Sequence, residues 1–430
     1  MTFDLKKIKQ YNLCLGCGLC EEIGKASGIK MALDKKGFYE PLYTQNLSKS
    51  ACEQLSNLCP AINIECILNR ETSYGKVLNA YEGWSTDDNI RRISSSGGVI
   101  TSLACHLLAT GTISGVLQVG VKEGEYLYNA LKVSRTKEDV MSCASSRYAP
   151  ALIFHNITDI FKETNDVFLF VGKPCDIMTM KKYISQNPIF TNKIALYISL
   201  VCAGMPSYNA SSNLINSANN KSEPISLKYR GDGWPGNFKV SFKDGGSFSC
   251  SYNDSWGKVL GRDICFRCKI CPDGIGQYAD IVVGDAWDTV DGYPDFTEKE
   301  GKSFILIRSH QGLRVIQDAH KKRIINLSPL SLQNLEKMQP YQYNRLHTIA
   351  YRLIPAFFLT RGVLKIRNMK ISKNNILKGK NISTLEDLEK EMIKQTLEKY
   401  GTSKEGKDMC AKELGIGIAT LYRKIEKYNL

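Results

Sequence analysis

Three cysteines near the amino terminus have a spacing that is used to bind iron. Cys14, Cys17 and Cys20 follow the pattern C-x₂-C-x₂-C, which supplies three thiolate ligands to a cubane 4Fe–4S cluster. The complete pattern continues with a cysteine and a proline four and five residues later, but this chain has Gly24 and Lys25 at those positions. The fourth ligand must therefore come from elsewhere in the chain.

Cys59 is the predicted fourth ligand, because it precedes Pro60. In bacterial ferredoxins the pattern occurs twice, and the fourth cysteine of each run binds the cluster of the other run. A second run that ends at Cys59 retains only Cys52 among its first three positions, so the reciprocal cluster cannot form. We predict one 4Fe–4S cluster, with Cys52 as a remnant. The alternatives are a zinc site on the same thiolates and Cys66, which no proline follows, in place of Cys59.

A second group of cysteines occurs at "CFRCKICPD", where Cys265, Cys268 and Cys271 repeat the C-x₂-C-x₂-C spacing. Cys175 and Cys202 each follow a predicted strand, and ligand sites of open α/β sheets form at the carboxyl ends of strands. Cys175 would also lie in the first turn of a helix, where the helix dipole favours a thiolate. A second metal site is therefore expected here, and the alternative is that each cysteine is a small buried residue.

Length and composition indicate a globular protein with two or three domains. The 430 residues are 43% hydrophobic and 23% charged, as in ordinary globular proteins. The amino terminus lacks the apolar core of a signal peptide, and no apolar run has the length of a membrane span. We therefore predict a cytoplasmic protein without a transmembrane segment. In that reducing compartment its 15 cysteines are expected to be metal ligands or buried side chains rather than disulfides.

Positive charge is concentrated near the carboxyl terminus. The formal net charge is +14, and the stretch "RGVLKIRNMKISKNNILKGK" at 361–380 carries seven Lys or Arg residues and no acid. Such a stretch is suited to nucleic acid, anionic lipid or an acidic partner, and a solvated linker is the alternative. The tail that follows is balanced in charge, which argues against strong DNA affinity.

Alternating strands and helices from about Val77 predict an α/β fold. Apolar runs predict strands at 113–121, 166–171 and 194–201, and helical spacing predicts helices at 98–111 and from Pro174. Strands separated by helices form parallel sheets. We therefore predict a mixed, partly parallel sheet with a small ferredoxin-like module before it and an α-helical tail after it. The predicted units are a ferredoxin-like module at 1–70, an oxidoreductase domain at 75–355, a basic linker at 356–381 and a helical tail at 382–430.

Several segments resemble, in order, the beta subunit of the coenzyme F420 hydrogenase/dehydrogenase family. These segments are "SSSGGVITSL", "CASSRYAPAL", "VGKPCDIMTMKK", "LVCAGMPS", "CFRCKICPD" and "ADIVVGDAWD". The resemblance covers roughly residues 75–310 and implies an α/β flavoprotein core that binds FAD and a 4Fe–4S cluster. It also implies electron transfer between these groups and a deazaflavin, coenzyme F420, or another oxidant. Similar bacterial proteins accompany surface-polysaccharide genes, so the family alone does not define the substrate.

The resemblance also assigns ligands and cofactor contacts to this chain. Carried over to this sequence, the cysteines of the family cluster are Cys175, Cys202, Cys268 and Cys271, which leaves Cys265 as a spare or substitute thiol. The small residues before helix 98–111 suit a pyrophosphate at a helix start, and Arg147 and Tyr148 suit charge and stacking. The expected FAD-binding residues are Ser95, Ser96, Gly97, Gly98, Arg147, Tyr148, Lys173 and Asp285. No catalytic residue is identified.

The tail contains "AKELGI" and "TLYRKIEKY", which resemble the Fis-type helix-turn-helix of bacterial regulators. Two functions are therefore carried forward. The first is an oxidoreductase with two 4Fe–4S clusters and FAD, which serves a redox partner protein, such as a ferredoxin or another enzyme subunit, and a small-molecule substrate. The alternative is a redox-responsive DNA-binding protein in which the clusters are the sensor and the tail is the reader. A helical docking module is a third interpretation of the tail.

Overall fold

The computed structural model describes residues 3–43, 46–66, 72, 74–290, 292–369, 385–414 and 416–430. The strands are β1 (Lys30–Leu33), β2 (Tyr39–Leu42), β3 (Asn63–Glu65), β4 (Asn79–Ser85), β5 (Gly115–Lys122), β6 (Glu125–Ser134), β7 (Phe168–Gly172), β8 (Ile194–Leu200), β9 (Pro224–Lys228), β10 (Phe238–Phe242), β11 (Ser247–Cys250), β12 (Ile281–Asp285), β13 (Thr289–Val290), β14 (Tyr293–Pro294), β15 (Ser303–Ile307), β16 (Ile325–Pro329) and β17 (Lys365–Arg367).

The helices are α1 (Leu5–Gln10), α2 (Leu19–Ile23), α3 (Lys49–Leu58), α4 (Asp88–Ile93), α5 (Val99–Ala109), α6 (Lys137–Ser142), α7 (Ile157–Glu163), α8 (Pro174–Gln186), α9 (Tyr208–Asn216), α10 (Phe266–Lys269), α11 (His310–Lys321), α12 (Leu332–Met338), α13 (Pro340–Leu359), α14 (Leu385–Tyr400), α15 (Lys404–Leu414) and α16 (Ile418–Tyr428). No helix among the described residues is long and apolar enough to cross a membrane.

An eight-stranded mixed sheet organises the centre of the protein, in the order β16-β4-β15-β12-β8-β7-β5-β6. The four central strands, β12, β8, β7 and β5, run parallel to one another. The strands outside them pair antiparallel. The predicted mixed, partly parallel α/β fold is therefore confirmed, and the carboxyl ends of the central strands share one edge of the sheet.

The two faces of the sheet are covered by different helices. One face packs against α5 and α11 through residues such as Leu103 and Ile316, both fully buried. The other face packs against α8 and the amino-terminal segment, where Leu13, Leu55 and Ile177 belong to one apolar cluster. The cysteine-rich segment thus shares a hydrophobic core with the sheet. Because of this shared core, the cysteine loops have a defined position relative to the strand ends.

Part of the predicted basic linker at 356–381 has regular structure. Helix α13 continues to Leu359, and β17 pairs parallel with β3 of the cysteine-rich segment. Lys365 and Arg367 lie in that strand, where Lys365 donates to the Ser56 carbonyl at 2.7 Å. The stretch to residue 369 is therefore packed structure, while 370–381 lies outside the described residues. The prediction missed β17 because its three residues are too short to show a strand period.

The three tail helices pack on the carboxyl-terminal half of α13. Ala350 and Ile354 of α13 share an apolar cluster with Met392 of α14 and Leu421 of α16. Lys424 lies over the ring of Phe358 at 5.2 Å from its centre. The tail is therefore docked against the helix that follows the central domain, so its apolar side is not free.

Candidate functional site

The first cysteine group is built by two loops of the amino-terminal segment. Cys14, Cys17 and Cys20 lie before and within α2, and Cys59 ends α3. The thiols lie close together, since the charge of Cys59 raises the pKa of both Cys14 and Cys17. Burial raises the pKa of Cys17 to about 12, with Cys59 as the next cause in the same direction. The predicted ligand set is therefore brought together.

Backbone amides around this group point at the sulfurs. The Gly16 amide donates to Cys14 Sγ at 3.4 Å. Burial raises the pKa of the other three thiols, and hydrogen bonds from further amides lower it by a smaller amount. These donors are Leu19 for Cys17, Glu21 for Cys20, and Ala61 and Ile62 for Cys59. Hydrogen bonds to sulfur stabilise thiolates and tune iron–sulfur clusters. The donor arrangement therefore fits a cluster held by thiolates.

Two kinds of metal site were predicted for the first cysteine group, a cluster and a single zinc ion. The described residues contain no group of three or more His, Cys, Asp or Glu side chains placed as ligands of one metal ion. In a cubane cluster each thiolate binds a different iron, so the ligand sulfurs lie further apart than the four ligands of one zinc ion. A 4Fe–4S cluster therefore stays the prediction for this group, with zinc as its alternative. Cys52 lies on α3. Cys66 is buried, and its amide donates to the carbonyl of Arg367 in β17.

The second cysteine group lies at the carboxyl edge of the sheet, as its sequence position predicts. Cys175 is in the first turn of α8, and Cys202 follows β8. The charges of Cys202 and Cys271 both raise the pKa of Cys175, after the larger effect of burial. Burial, followed by Cys268, raises the pKa of Cys202 to about 12. Four thiols from three separate segments therefore lie near one another.

Cys265 connects the two cysteine groups. Its sulfur lies 3.4 Å from the carbonyl oxygen of Cys14, and its side chain also contacts that of Cys268. The residue is buried, with 4% of its surface exposed. The two groups are therefore neighbours across one thiol, an arrangement that the sequence did not predict. Cys265 remains a substitute ligand for the second group.

A cleft of about 290 Å³ opens beside the second group, above the ends of β7, β8 and β12. Its volume is near the lower end of the range of about 300–1,000 Å³ for small-molecule sites. Cys202 lines the cleft, together with Lys173 from the turn before α8. Of the predicted flavin contacts, the following line it: Ser95, Ser96, Gly98, Arg147, Tyr148, Lys173 and Asp285.

The start of α5 faces this cleft without a side-chain cap. Gly98 is the residue before the helix, with φ +76°, and no side chain bonds the first amides. Val99, Ile100 and Thr101 line the cleft, and the first amides of a helix have no partner within the helix. Ser94 Oγ, which also belongs to the cleft lining, is buried without a hydrogen-bond partner in the described part of the chain. The donor set suits an anionic group such as a pyrophosphate.

Gly97 has a packing role at this turn. A side chain there would meet the Gly83 carbonyl at 2.6 Å, and the Gly97 amide donates to Ser303 Oγ at 2.9 Å. The residue is absent from the cleft lining, in contrast to Ser96 and Gly98. Close packing against β4 and β15 therefore explains a glycine at this position, and the cofactor contact at Gly97 stays a prediction.

The donors of Arg147 are directed into the protein. Its guanidinium donates to Asn129 Oδ1 at 2.7 Å and to the carbonyls of Tyr126, Leu127 and Leu227. Burial lowers the pKa of Arg147. The side chain touches the cleft, but its hydrogen bonds stabilise the packing between β6 and β9. Tyr148, next in sequence, presents a ring to the cleft and packs against Trp256 at 4.7 Å.

Asp285 is paired with an arginine that sequence reasoning missed. Arg230 donates to both carboxylate oxygens at 2.9 Å, and Trp234 Nε1 donates to one of them at 2.8 Å. Arg230 is 1% exposed and lies under the rings of Tyr252 and Trp287. The carboxylate therefore neutralises a buried cation in the cleft wall. No local motif marks Arg230, because its partner is 55 residues away.

Aromatic rings form one wall of the cleft. The wall contains Tyr148, Tyr252, Trp256 and Trp287, and Trp287 stacks on Trp234 at 4.6 Å with an angle of 10°. Flat rings and an uncapped helix start in one cleft suit a ligand with a planar ring system and a charged tail. FAD has both features. Tyr252 and Trp256 were missed because they lie in short irregular turns.

Fold and site together define an α/β protein with two neighbouring cysteine groups and a cleft that shares Cys202 with one of them. Sequence models of the coenzyme F420 hydrogenase/dehydrogenase beta subunit match residues 80–157 (amino-terminal part) and 166–333 (carboxyl-terminal part). These matches cover more than half of the chain, and the chain belongs to this family.

Two of the similar proteins come from Methanocaldococcus jannaschii. The chain is 26% identical over 261 residues to the F420-dependent formate dehydrogenase subunit beta of Methanocaldococcus jannaschii, which covers 59% of this chain and 64% of that protein. It is 24% identical over 364 residues to the coenzyme F420-dependent sulfite reductase of the same organism, which covers 80% of this chain and 51% of that protein. The chain thus spans less than two thirds of either relative.

A solved structure supports the fold. The F420-reducing NiFe hydrogenase complex from Methanosarcina barkeri contains a chain that matches with a TM-score of 0.52 at 20% identity, over 69% of this chain and 98% of that one. The tail matches a different model, that of the Fis family of bacterial regulatory proteins, over residues 384–428. Both predicted resemblances are therefore confirmed.

Proposed function

We propose that this chain is a flavin- and iron–sulfur-dependent oxidoreductase with two 4Fe–4S clusters and FAD. One observation supports the proposal: the second cysteine group contacts the first group and also reaches the cleft. Cys265 contacts Cys14 on one side, and Cys202 lines the cleft on the other. This order gives electrons a route from the amino-terminal segment to a ligand in the cleft.

The residues of the chain have separate roles in this proposal. The two cysteine groups hold the clusters, with Cys14, Cys17, Cys20 and Cys59 in the first and Cys175, Cys202, Cys268 and Cys271 in the second. The turn before α5 holds the pyrophosphate, and the aromatic wall orients the flat ring. When bound, a flavin couples one-electron centres to the two-electron chemistry of an organic substrate.

Lys173 is a cation at the proposed junction of cluster and flavin. Its ammonium donates to Asp176 Oδ2 at 2.7 Å, and the pair lines the cleft beside Cys202. The Asp176 carboxylate also accepts from the Lys173 amide at 3.0 Å, which closes the start of α8. We assign the pair the role of fixing the Cys175 turn against the cleft.

The electron acceptor is the part of the proposal that rests on relatives. Two relatives are described as dependent on coenzyme F420, and the deazaflavin is therefore the first candidate substrate. Another organic substrate, or a ferredoxin, is the alternative within the same proposal. A link to surface polysaccharide synthesis rests on the resemblance of the sequence alone.

Chemical analysis of anaerobically purified protein tests this function. About eight iron atoms, eight sulfides and one FAD per chain are expected if two complete ligand sets form. Reduction of coenzyme F420 is then followed by its absorbance, with a Cys202→Ala variant as the matched protein that lacks one second-group ligand. Protein that contains zinc and no flavin would refute the proposal.

The tail supports a second candidate function, DNA binding. The Fis-family match covers all three tail helices, and α16 presents Tyr422 and Arg423 on its exposed side. In helix-turn-helix proteins the second helix of the pair reads the major groove. A mobility-shift assay with and without residues 382–430, in both redox states, tests this function. Binding that does not depend on the tail would remove it.

A further inference from the structure

The surface above the first cysteine group carries an unusual distribution of charge. Residues 3–43 contain seven lysines and five acids. Six of the lysines are exposed, whereas none of the five acidic residues is. We call five of these lysines the lysine face: Lys6, Lys7, Lys30, Lys35 and Lys36. Lys25, the sixth, lies apart and pairs with Asp159 at 2.8 Å.

The acids of this segment are used in local structure. Asp4 caps α1 by accepting from the amides of Lys6 and Lys7, and Asp34 accepts from two amides of the turn between β1 and β2. Glu40 pairs with Lys9 at 3.0 Å. Within the described part of the chain, no carboxylate forms an ion pair with the lysine face. Its positive charge is therefore directed to solvent.

The lysine face is carried by two segments that contact each other, the α1 segment and the hairpin of β1 and β2. Lys9 of α1 reaches Glu40 of β2, and Lys36 donates to Asn12 Oδ1 at 3.3 Å. These contacts attach α1 to the hairpin of β1 and β2. Leu42 of β2 is exposed and lies directly opposite Lys30 of β1 in the hairpin. An exposed apolar side chain beside exposed charges is a feature of protein docking sites.

This surface lies directly on the first cysteine group. Cys20 Sγ is 3.6 Å from Met31 Sδ of β1, and a side chain at Gly16 would meet Tyr39 Cβ of β2 at 2.9 Å. The hairpin, which carries Lys30, Lys35 and Lys36, therefore packs directly on the first group. A carrier docked on the hairpin would lie beside that group.

We propose that the lysine face is the docking site of an acidic one-electron carrier protein, which exchanges electrons with the amino-terminal cluster. This inference rests on the proposed function, because it requires a cluster at Cys14, Cys17, Cys20 and Cys59. Because the lysine face is positive, the complementary partner is a carrier with a negative surface around its redox centre. Such encounters bury little area, and electrostatic steering sets their rates.

Stopped-flow reduction of the full-length, cluster-loaded protein tests the proposal. The probe is a small acidic 2Fe–2S ferredoxin in its reduced form, and the measured quantity is its second-order rate constant. A Lys35→Glu/Lys36→Glu variant is expected to lower the rate constant about tenfold or more at low ionic strength, because steering contributes about 10–10³ to such rates. Added salt should slow the unmodified protein, since it shortens the Debye length from about 30 Å to about 8 Å.

The matched control places the same charge change on the opposite face of the sheet. The Lys321→Glu/Lys322→Glu variant changes the end of α11, which packs on the same sheet face as α5. It should change the rate constant less than twofold. Methyl viologen radical cation should reduce the Lys35→Glu/Lys36→Glu variant at least as fast as the unmodified protein, since it is itself positive.

The outcomes separate the two proposals. Protein without iron refutes the proposed function. A second outcome overturns the docking site alone. In that outcome the protein contains iron and is reduced by viologen, but the Lys35→Glu/Lys36→Glu variant reacts with ferredoxin as fast as the unmodified protein, or the control variant is slowed equally. Loss of duplex DNA binding in the lysine variant, without loss of ferredoxin reactivity, would assign the surface to nucleic acid and likewise overturn the inference.

Discussion

Replacement of Asp285 by alanine is expected to destabilise the protein strongly. The carboxylate accepts two hydrogen bonds from Arg230 at 2.9 Å and one from Trp234 at 2.8 Å. The guanidinium is almost completely buried, so Asp285→Ala leaves a buried cation without its counter-ion. Breaking a buried pair on one side costs about 3–5 kcal/mol. We expect a loss of this size in the free energy of unfolding.

Urea unfolding of protein with equal iron content measures this loss. Asp288→Ala is the matched control, because Asp288 lies three residues away and pairs with Lys299 and Lys302 at the surface. Exposed pairs contribute about 0–1 kcal/mol, so the control should remain within that range. The two variants have the same chemistry and differ in the burial of the partner.

A double-mutant cycle with Arg230→Met decides the cause. If the lost pair is responsible, the double variant should be more stable than the sum of the two single effects by about 2 kcal/mol, within the range for residues in contact. Additive effects, or an Asp285→Ala loss no larger than that of Asp288→Ala, would refute the reasoning. Asp285 would then be free to serve as a direct cofactor ligand.

Three further predictions concern other parts of the chain. Cys59→Ala should abolish the first cluster, with loss of about half of the iron, whereas the control Cys52→Ala should retain all of it, as measured by anaerobic iron analysis; equal iron in both would contradict the ligand assignment. Burial raises the pKa of Cys250 to about 11, so its alkylation by iodoacetamide, followed by peptide mass spectrometry, should still accelerate between pH 9 and 11, where an ordinary thiol of pKa about 8.5 has levelled off. Because the folded pKa lies above the unfolded value, this group stabilises the fold below about pH 8.5, and that contribution is lost as the pH rises towards about 11; a rate that levels off near pH 9 would contradict the raised pKa. Leu421→Ala in the tail core should cost about 2–5 kcal/mol of local stability by hydrogen exchange, because Leu421 is fully buried, whereas the exposed Ile418→Ala should cost much less; similar protection in both variants would contradict the docked tail.

Sequence periodicity predicted the central fold well. The strands at 166–171 and 194–201 correspond to β7 and β8, and the helix at 98–111 corresponds to α5. Apolar runs and helix caps are local features, so they can be read without knowledge of distant residues. Thr136 and Asp139 form a capping box at α6, which is likewise a local feature because the two residues are three positions apart.

Contacts between distant segments were not predictable in the same way. Sequence patterns did not identify Arg230, and they assigned Arg147 to the cofactor. The reason is that the hydrogen-bond partners of a buried guanidinium depend on how strands far apart in sequence pack together. The Arg147 donors go to β6 and β9, and the Arg230 donors go to β12. Gly97 was likewise expected at the cofactor, although close packing against Gly83 explains the residue.

The amino-acid sequence by itself determined the cysteine spacings, the alternation of strands and helices, the family and the Fis-like tail. Each of these depends on residue types at fixed spacings along the chain, which can be recognised without a structure. Only the tertiary structure decided that the two cysteine groups are neighbours through Cys265 and that Cys202 belongs to the cleft. It also decided that the acids around the first group are used in caps and pairs, which leaves the lysine face to solvent. These arrangements arise when a shared apolar core brings distant segments together, and spacing along the chain does not record that step.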